Sequence, residues 1–402
     1  MAEIEAGQCA KCGACTVVCP VFQATGRESL SARGRLHLLE RLDPGRASAA
    51  YAEILSQCLL CGACRSVCSR GLDPPARFLA GRRRLARSAG HRVLLRAIAG
   101  KALGNQALLT TIALLGHPLL ERLPADSGLR LRLGLPQAGT AALPTLSESL
   151  PEKSTPPTMT FFPGCYASHL HRGIGNATEK IAARFTGNRP EKPKEQGCCG
   201  LAAENAGDSA TARRLARQNI SAFAGNSLPI LTSCSSCYHQ LRRYPELLAD
   251  DPTWQEKARA FADRLLEFST FVAQAMQAEP AFAFAGSAKE QTVVYHDPCH
   301  LRFAATPITG SPRAILRAIP GLRLSELANG PQCCGQGGLF HLAQPELAEK
   351  IRSRLLDQLT QAAPDLVTTT CSGCLIHIRQ GLGNTQEQPE VRHLAILLAE
   401  LL

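Results

Sequence analysis

All eighteen cysteines of this 402-residue chain fall into four spaced sets, and none is left over. The first is Cys9-x2-Cys12-x2-Cys15-x3-Cys19-Pro20, and the second is Cys58-x2-Cys61-x2-Cys64-x3-Cys68. The third holds Cys165, Cys198, Cys199, Cys234 and Cys237; the fourth holds Cys299, Cys333, Cys334, Cys371 and Cys374. Thiols at such density serve either as disulfides or as metal ligands. Disulfide-dense chains are usually short and secreted. This one is long, and its Met-Ala-Glu-Ile-Glu start has no basic segment followed by an apolar run. The thiols are therefore read as thiolate ligands in a reducing cytoplasm.

Zinc takes four ligands, typically as paired C-x-x-C with histidine. A third cysteine two residues on and a fourth three beyond do not fit that pattern. They match the two-cluster ferredoxin run, in which three close cysteines hold one cubane [4Fe-4S] cluster and the fourth ligates its neighbour. The expected sets are Cys9, Cys12, Cys15 and Cys68 for one cubane, and Cys58, Cys61, Cys64 and Cys19 for the other. Gly13 and Gly62 relieve crowding in the two loops. Ser69 stands where a proline normally follows the fourth cysteine; that position shapes a turn and supplies no ligand. The third and fourth sets each bring five thiolates, one too many for a tetrahedral zinc site or an ordinary cubane. Adjacent cysteines can instead bridge an extended cluster, with zinc the alternative on spacing alone.

Composition is globular, with 45% hydrophobic and 19% charged residues, and apolar runs such as Ile112–Leu115 are far too short to span a bilayer. Residues 1–90 hold the first eight cysteines between short helices, near Ala32–Leu42 and Ala49–Leu55. Residues 91–135 carry apolar residues at helical spacing and read as a helical cover. Residues 136–158, rich in Pro, Ser and Thr, read as a linker. The remainder is an internal duplication, with lobes at 159–277 and 292–402 joined by a less patterned stretch near 278–291. Matching cysteines are offset by 134, 135 and 137 residues, and each lobe repeats strand, Cys-Cys-Gly, helix, strand and C-x-x-C. The single helices expected after the two pairs cover about 202–224 and 339–362. The expected fold is α+β overall: a helical ferredoxin-like domain with two cubanes, then two duplicated α/β lobes with parallel sheets and their sites at strand C-termini.

The formal charge is +11, and Arg65 to Lys101 holds ten Lys and Arg against one acid, Asp73. This run reads as a solvated helical face, a dock for an acidic partner, or a patch for anionic lipid headgroups. A single aromatic, Phe78, lies within it and makes no interleaved pattern, so nucleic acid is not expected. His239, His377, His296 and His300 follow or flank ligand cysteines and read as hydrogen-bond donors behind the ligands or as surface groups. There is no P-loop and no flavin or nicotinamide fingerprint, and Gly335-Gln-Gly-Gly follows no strand. The chain is therefore not expected to oxidise an organic substrate alone, which implies a partner.

Paired ferredoxin motifs followed by two Cys-Cys-Gly lobes resemble, over nearly the whole chain, the glycolate oxidase and D-lactate dehydrogenase iron–sulfur subunits. Similar architecture occurs in the iron–sulfur subunits of anaerobic glycerol-3-phosphate dehydrogenase and of heterodisulfide reductase. Ser31-Ala-Arg-Gly-Arg-Leu and the His393-Leu-Ala-Ile-Leu-Leu ending are similar to the glycolate and lactate branch. His296-Asp-Pro-Cys-His-Leu-Arg is shared more widely. The resemblance implies an FAD-containing dehydrogenase partner, with electrons leaving to a quinone or another carrier. It also implies a location in the cytoplasm or on the inner membrane face, and a non-cubane [4Fe-4S] cluster in one or both lobes. The iron–sulfur chains of glycolate oxidase often look degenerate in these lobes, whereas both sets are complete here. That completeness keeps a disulfide-reducing role open.

Overall fold

The computed structural model of the chain describes residues 9–42, 48–88, 156–286, 289–383 and 388–402. The expected helical cover and nearly all of the expected linker lie outside them.

The N-terminal part is helical. Each C-x-x-C-Gly loop runs into one helical turn, Ala14–Val17 or Ala63–Ser66, started by a glycine in the left-handed region (Gly13 φ 83°, Gly62 φ 88°). Cys19 precedes helix Pro20–Thr25, whose first residue is the proline that suits that position. The Ser31-Ala-Arg-Gly-Arg-Leu segment opens helix Ala32–Arg41, with the Ser31 hydroxyl accepting from the Gly34 N–H at 2.9 Å. A Cβ on Gly34 would lie 2.1 Å from the Glu28 carbonyl oxygen, so only glycine lets the helix sit this close to the preceding turn. Arg35 is 1% exposed and donates to the carbonyls of Leu30, Ile54 (2.9 Å) and Gln57 (2.7 Å). It thereby ties the turn before its own helix to helix Ala49–Ser56. Helix Pro74–Ser88 closes this core through Phe78, Leu79 and Leu85.

Two parallel sheets follow. The first has the order β1 (Thr160–Phe161), β2 (Ile230–Thr232), β3 (Leu265–Glu267). The second takes β4 (Gln291–Tyr295), β5 (Leu322–Ser325), β6 (Leu366–Thr369) and β7 (Glu390–His393) in the order β5-β4-β6-β7. Strands β1, β2 and β3 correspond to β4, β6 and β7. Beyond β1, where the second sheet has β5, the described residues of the first show a parallel bridge from Thr160 to Glu191. Strands β2 and β6 are buried along their whole length, as expected of strands covered on both faces.

The two sheets share one core. Ile174, Ile181 and Phe268 from the first half pack in one apolar cluster with Val293, Val367 and Leu398 from the second. Three details differ from the sequence reading. The helix expected at 202–224 is two, Leu201–Asn205 and Ser209–Ala222, because Gly207 turns the chain and Asp208 caps the second at Thr211 N. The one expected at 339–362 breaks before Pro345, into Phe340–Ala343 and Pro345–Ala362. The joining stretch is also packed: Phe282 lies 4.8 Å ring to ring from Phe185, and Phe284 is buried.

Candidate metal centres

Strand ends position many of the sulfurs of the third and fourth sets. Strand β2 runs through Ser233 to Cys234, which begins helix Ser235–Arg242; β6 runs through Thr370 to Cys371, which begins helix Ser372–Leu382. Cys165 and Cys299 follow β1 and β4. In the third set Cys198 contacts Cys165 and Cys199, Cys199 contacts Cys237, and Cys237 contacts Cys234. Cys234 in turn contacts Cys371 across the duplication, Cys371 contacts Cys374, and Cys374 lies 3.2 Å from Cys334. The sulfurs therefore form an unbroken series from Cys165 to Cys334 through both sheets.

The series continues toward the N-terminal part. Cys61 and Cys333 pack against one apolar cluster with Cys19, around Val21, Leu59 and Phe340. Cys61 and Cys299 line one cavity. A second, small cavity is lined by Cys9, Cys12, Cys15, Cys68 and also Cys64.

Burial and contact with neighbouring cysteines shift these thiols, and burial raises several of them. Burial pushes Cys61 up to about 12, helped by the charges of Cys58 and Cys19. It also raises Cys299 and Cys333 well above the usual thiol range, with neighbouring cysteines adding to the effect. Contact with Cys234 pushes Cys371 up to about 12. Crowded buried thiolates repel one another, and only strong positive charge among them lets all ionise together. A polynuclear iron core supplies that charge, so the donor set suits iron–sulfur clusters.

The histidines take distinct places. Nδ1 of His377 meets the Cys334 carbonyl oxygen, and a ring nitrogen of His296 lies within 4.8 Å of the Cys334 and Cys374 sulfurs. His300 Nδ1 is 3.1 Å from Ser236 Oγ, and His239 stacks on His300 at 4.4 Å. Burial lowers His300 to about 4 and holds His239 well below the usual imidazole range, so both are neutral at pH 7. Ser236, which the sequence reading did not single out, also touches Cys371 Sγ at 3.3 Å. Its only signal was its place between Cys234 and Cys237.

Part of the basic run turns inward. Arg82 donates to the carbonyls of Leu55, Ser56, Cys58 and Asn205, and burial lowers it to about 10. Arg83 pairs with the buried Glu204. Arg65 meets Asp73 at 3.3 Å and the Phe303 carbonyl. These arginines join the N-terminal part to both sheets and are not a free patch. No helix among the described residues is long and apolar enough to cross a membrane.

This helical domain with paired cysteine loops, set against two cysteine-rich parallel-sheet halves, defines an iron–sulfur protein. Residues 5–72 match the 4Fe-4S dicluster domain, and residues 159–242 and 293–379 match the cysteine-rich domain. The chain is 29% identical to the probable glycolate oxidase iron-sulfur subunit of Bacillus subtilis, over 100% of this chain and 95% of that one. It is 30% identical to lactate utilization protein A of Shouchella clausii, over 60% of this chain and 98% of that one. With the glycolate oxidase iron-sulfur subunit of Escherichia coli it shares 27% identity over 92% and 89% of the two chains. The crystal structure of a hypothetical protein from Helicobacter pylori has the same fold, with TM-score 0.59 and 10% identity, covering 93% of this chain and 68% of that one. The chain belongs to the family of glycolate oxidase and lactate utilization iron–sulfur subunits.

Proposed function

We propose that the chain is the electron-transfer subunit of a 2-hydroxyacid dehydrogenase, of the glycolate or D-lactate kind. An FAD-containing partner would oxidise the substrate, and electrons would leave to a quinone or another carrier. Iron–sulfur clusters supply one-electron steps between two-electron reactions. The observation that carries this reading is the contiguity of the sulfur sets. Cys9, Cys12, Cys15 and Cys68 would hold one cubane; Cys58, Cys61, Cys64 and Cys19 would hold the second. Cys299, Cys333, Cys334, Cys371 and Cys374 come next, beside Cys61, and the series ends on Cys165, Cys198, Cys199, Cys234 and Cys237. The order in space is thus first set, second, fourth, third.

The chain's own residues would hold the sulfurs, exclude water by burial, and aim hydrogen bonds at them. Anaerobic iron analysis and affinity purification from the native cells test the reading. Full loading gives about sixteen irons per chain, four per cluster, and a tagged chain should bring down a flavoprotein. About eight irons after full reconstitution would mean that the C-terminal sets are empty or hold zinc.

The completeness of both five-cysteine sets favours a second reading, a heterodisulfide-reductase-type catalytic subunit. The isolated, iron-loaded chain would then turn over a disulfide with reduced viologen dye. No turnover sinks that alternative.

A further inference from the structure

A cavity of about 290 Å³ lies where the N-terminal domain and the two sheet-bearing halves meet. Cys61 lines it from the N-terminal domain, His239 from the first half, and Cys299 with His300 from the second. The imidazoles of His239 and His300 are nearly parallel, 7° apart with 4.4 Å between centroids, and so give the cavity a flat face. Leu60, Leu79 and Phe303 supply apolar surface. Arginines line it as well, but they are already engaged. Arg65 meets Asp73, Arg243 meets Glu246 at 3.1 Å, and Arg242 donates to the Ala262 carbonyl at 2.7 Å. Asp73 and Glu246 are themselves in the lining, so it carries little net charge. Part of the unspent polar capacity is imidazole, and part is the buried Nδ2 of Asn205, which has no hydrogen-bond partner among the described residues. His239 has no hydrogen-bond partner among the described residues, and His300 spends only Nδ1, on Ser236.

A flat wall, apolar surface, little net charge and the spare N–H donors of His239 and Asn205 together suit an uncharged planar ring with carbonyl oxygens. A carboxylate would meet guanidinium groups that are already paired. We propose that this cavity binds a quinone headgroup, seated beside Cys61 and Cys299. The proposal rests on the electron-transfer reading above, since that reading gives a ring at this junction its use.

The test is equilibrium dialysis of duroquinone, whose fully substituted ring does not add thiols, against the full, anaerobically reconstituted, oxidised chain. Iron is counted on the same samples. One duroquinone should bind per chain. His239→Phe keeps a stacking ring but removes the donor, and Ala76→Phe fills the cavity from helix Pro74–Ser88; each should weaken binding at least tenfold with iron content unchanged. An excess of succinate should not displace the quinone. Absence of saturable binding to the unaltered chain, displacement by succinate, or unchanged affinity in a variant that keeps its iron overturns the proposal. A chain that loads its iron yet binds no duroquinone removes the cavity assignment alone. A chain that takes up no iron removes the electron-transfer reading itself.

Discussion

Ser236 shows how much a single hydroxyl can control at a crowded sulfur site. Its Oγ lies 3.3 Å from Cys371 Sγ and 3.1 Å from His300 Nδ1, so it joins the first half of the duplication to two groups of the second. Toward a thiolate the hydroxyl donates, and a donor to a cluster sulfur stabilises the more negative, reduced state. Ser236→Ala should therefore lower the midpoint potential of the cluster at Cys371. A hydrogen bond of about 1 kcal/mol corresponds to about 40 mV for one electron. Redox titration followed by spin resonance reads this, with iron content unchanged. A lack of any shift would mean that Ser236 serves packing alone. Cysteine replacements separate the sets more coarsely: Cys12→Ser should cost one N-terminal cluster and disturb its neighbour through the exchanged fourth ligands. Cys199→Ser should leave both N-terminal signals intact. The cysteine sets stand out in the sequence because spacing within the first two is local and the last two repeat one pattern. Ser236 does not, because its partners Cys371 and His300 come from 135 and 64 residues away.

At the scale of elements, Ser31-Ala-Arg-Gly-Arg-Leu is a clamp. Ser31 caps the helix, Arg33 reaches the Lys11 carbonyl at 3.1 Å in the first cysteine loop, and Arg35 holds three carbonyls of neighbouring turns. Gly34→Ala would force the Glu28 carbonyl aside and should destabilise the N-terminal domain by about 2–4 kcal/mol. Gly225→Ala is the control, since nothing lies within 4 Å of its added Cβ. Urea unfolding of the iron-loaded chains compares the two, and equal midpoints would refute the clamp. The sequence resemblance marked this segment, but only the packing gives its reason. The near-constant offsets between matching cysteines and their flanking strands and helices pointed to the duplication, because each half repeats local patterns. Their shared core escaped notice, since buried residues such as Ile181 and Leu398 meet only in three dimensions. Part of the basic run behaves similarly: charge along the chain says nothing of Arg82 being enclosed by carbonyls.

For the whole molecule, what matters is where the series of sulfur sets opens to a partner. Most of the later sulfurs are enclosed: Cys198, Cys199, Cys234, Cys237, Cys334, Cys371 and Cys374 are all buried. Cys12 is exposed, and around it Ala10, Lys11, Ala14 and Val17 are exposed too, Val17 at 72%. An apolar side chain so open beside Cys12 suits a contact that a partner covers. Electron transfer weakens steeply with distance, so a flavoprotein exchanging electrons with this chain gains most by docking at that loop. Val17→Asp places a charge at the centre of such a contact without touching a ligand or the buried core. Association with the flavoprotein should weaken about tenfold or more, as when a charge is desolvated at an interface without a partner. Titration calorimetry or co-purification measures it, while the iron content and the spin-resonance spectrum of the isolated chain stay as they were. Unchanged association would move the docking face elsewhere, to the surface near Cys165 at the other end of the series.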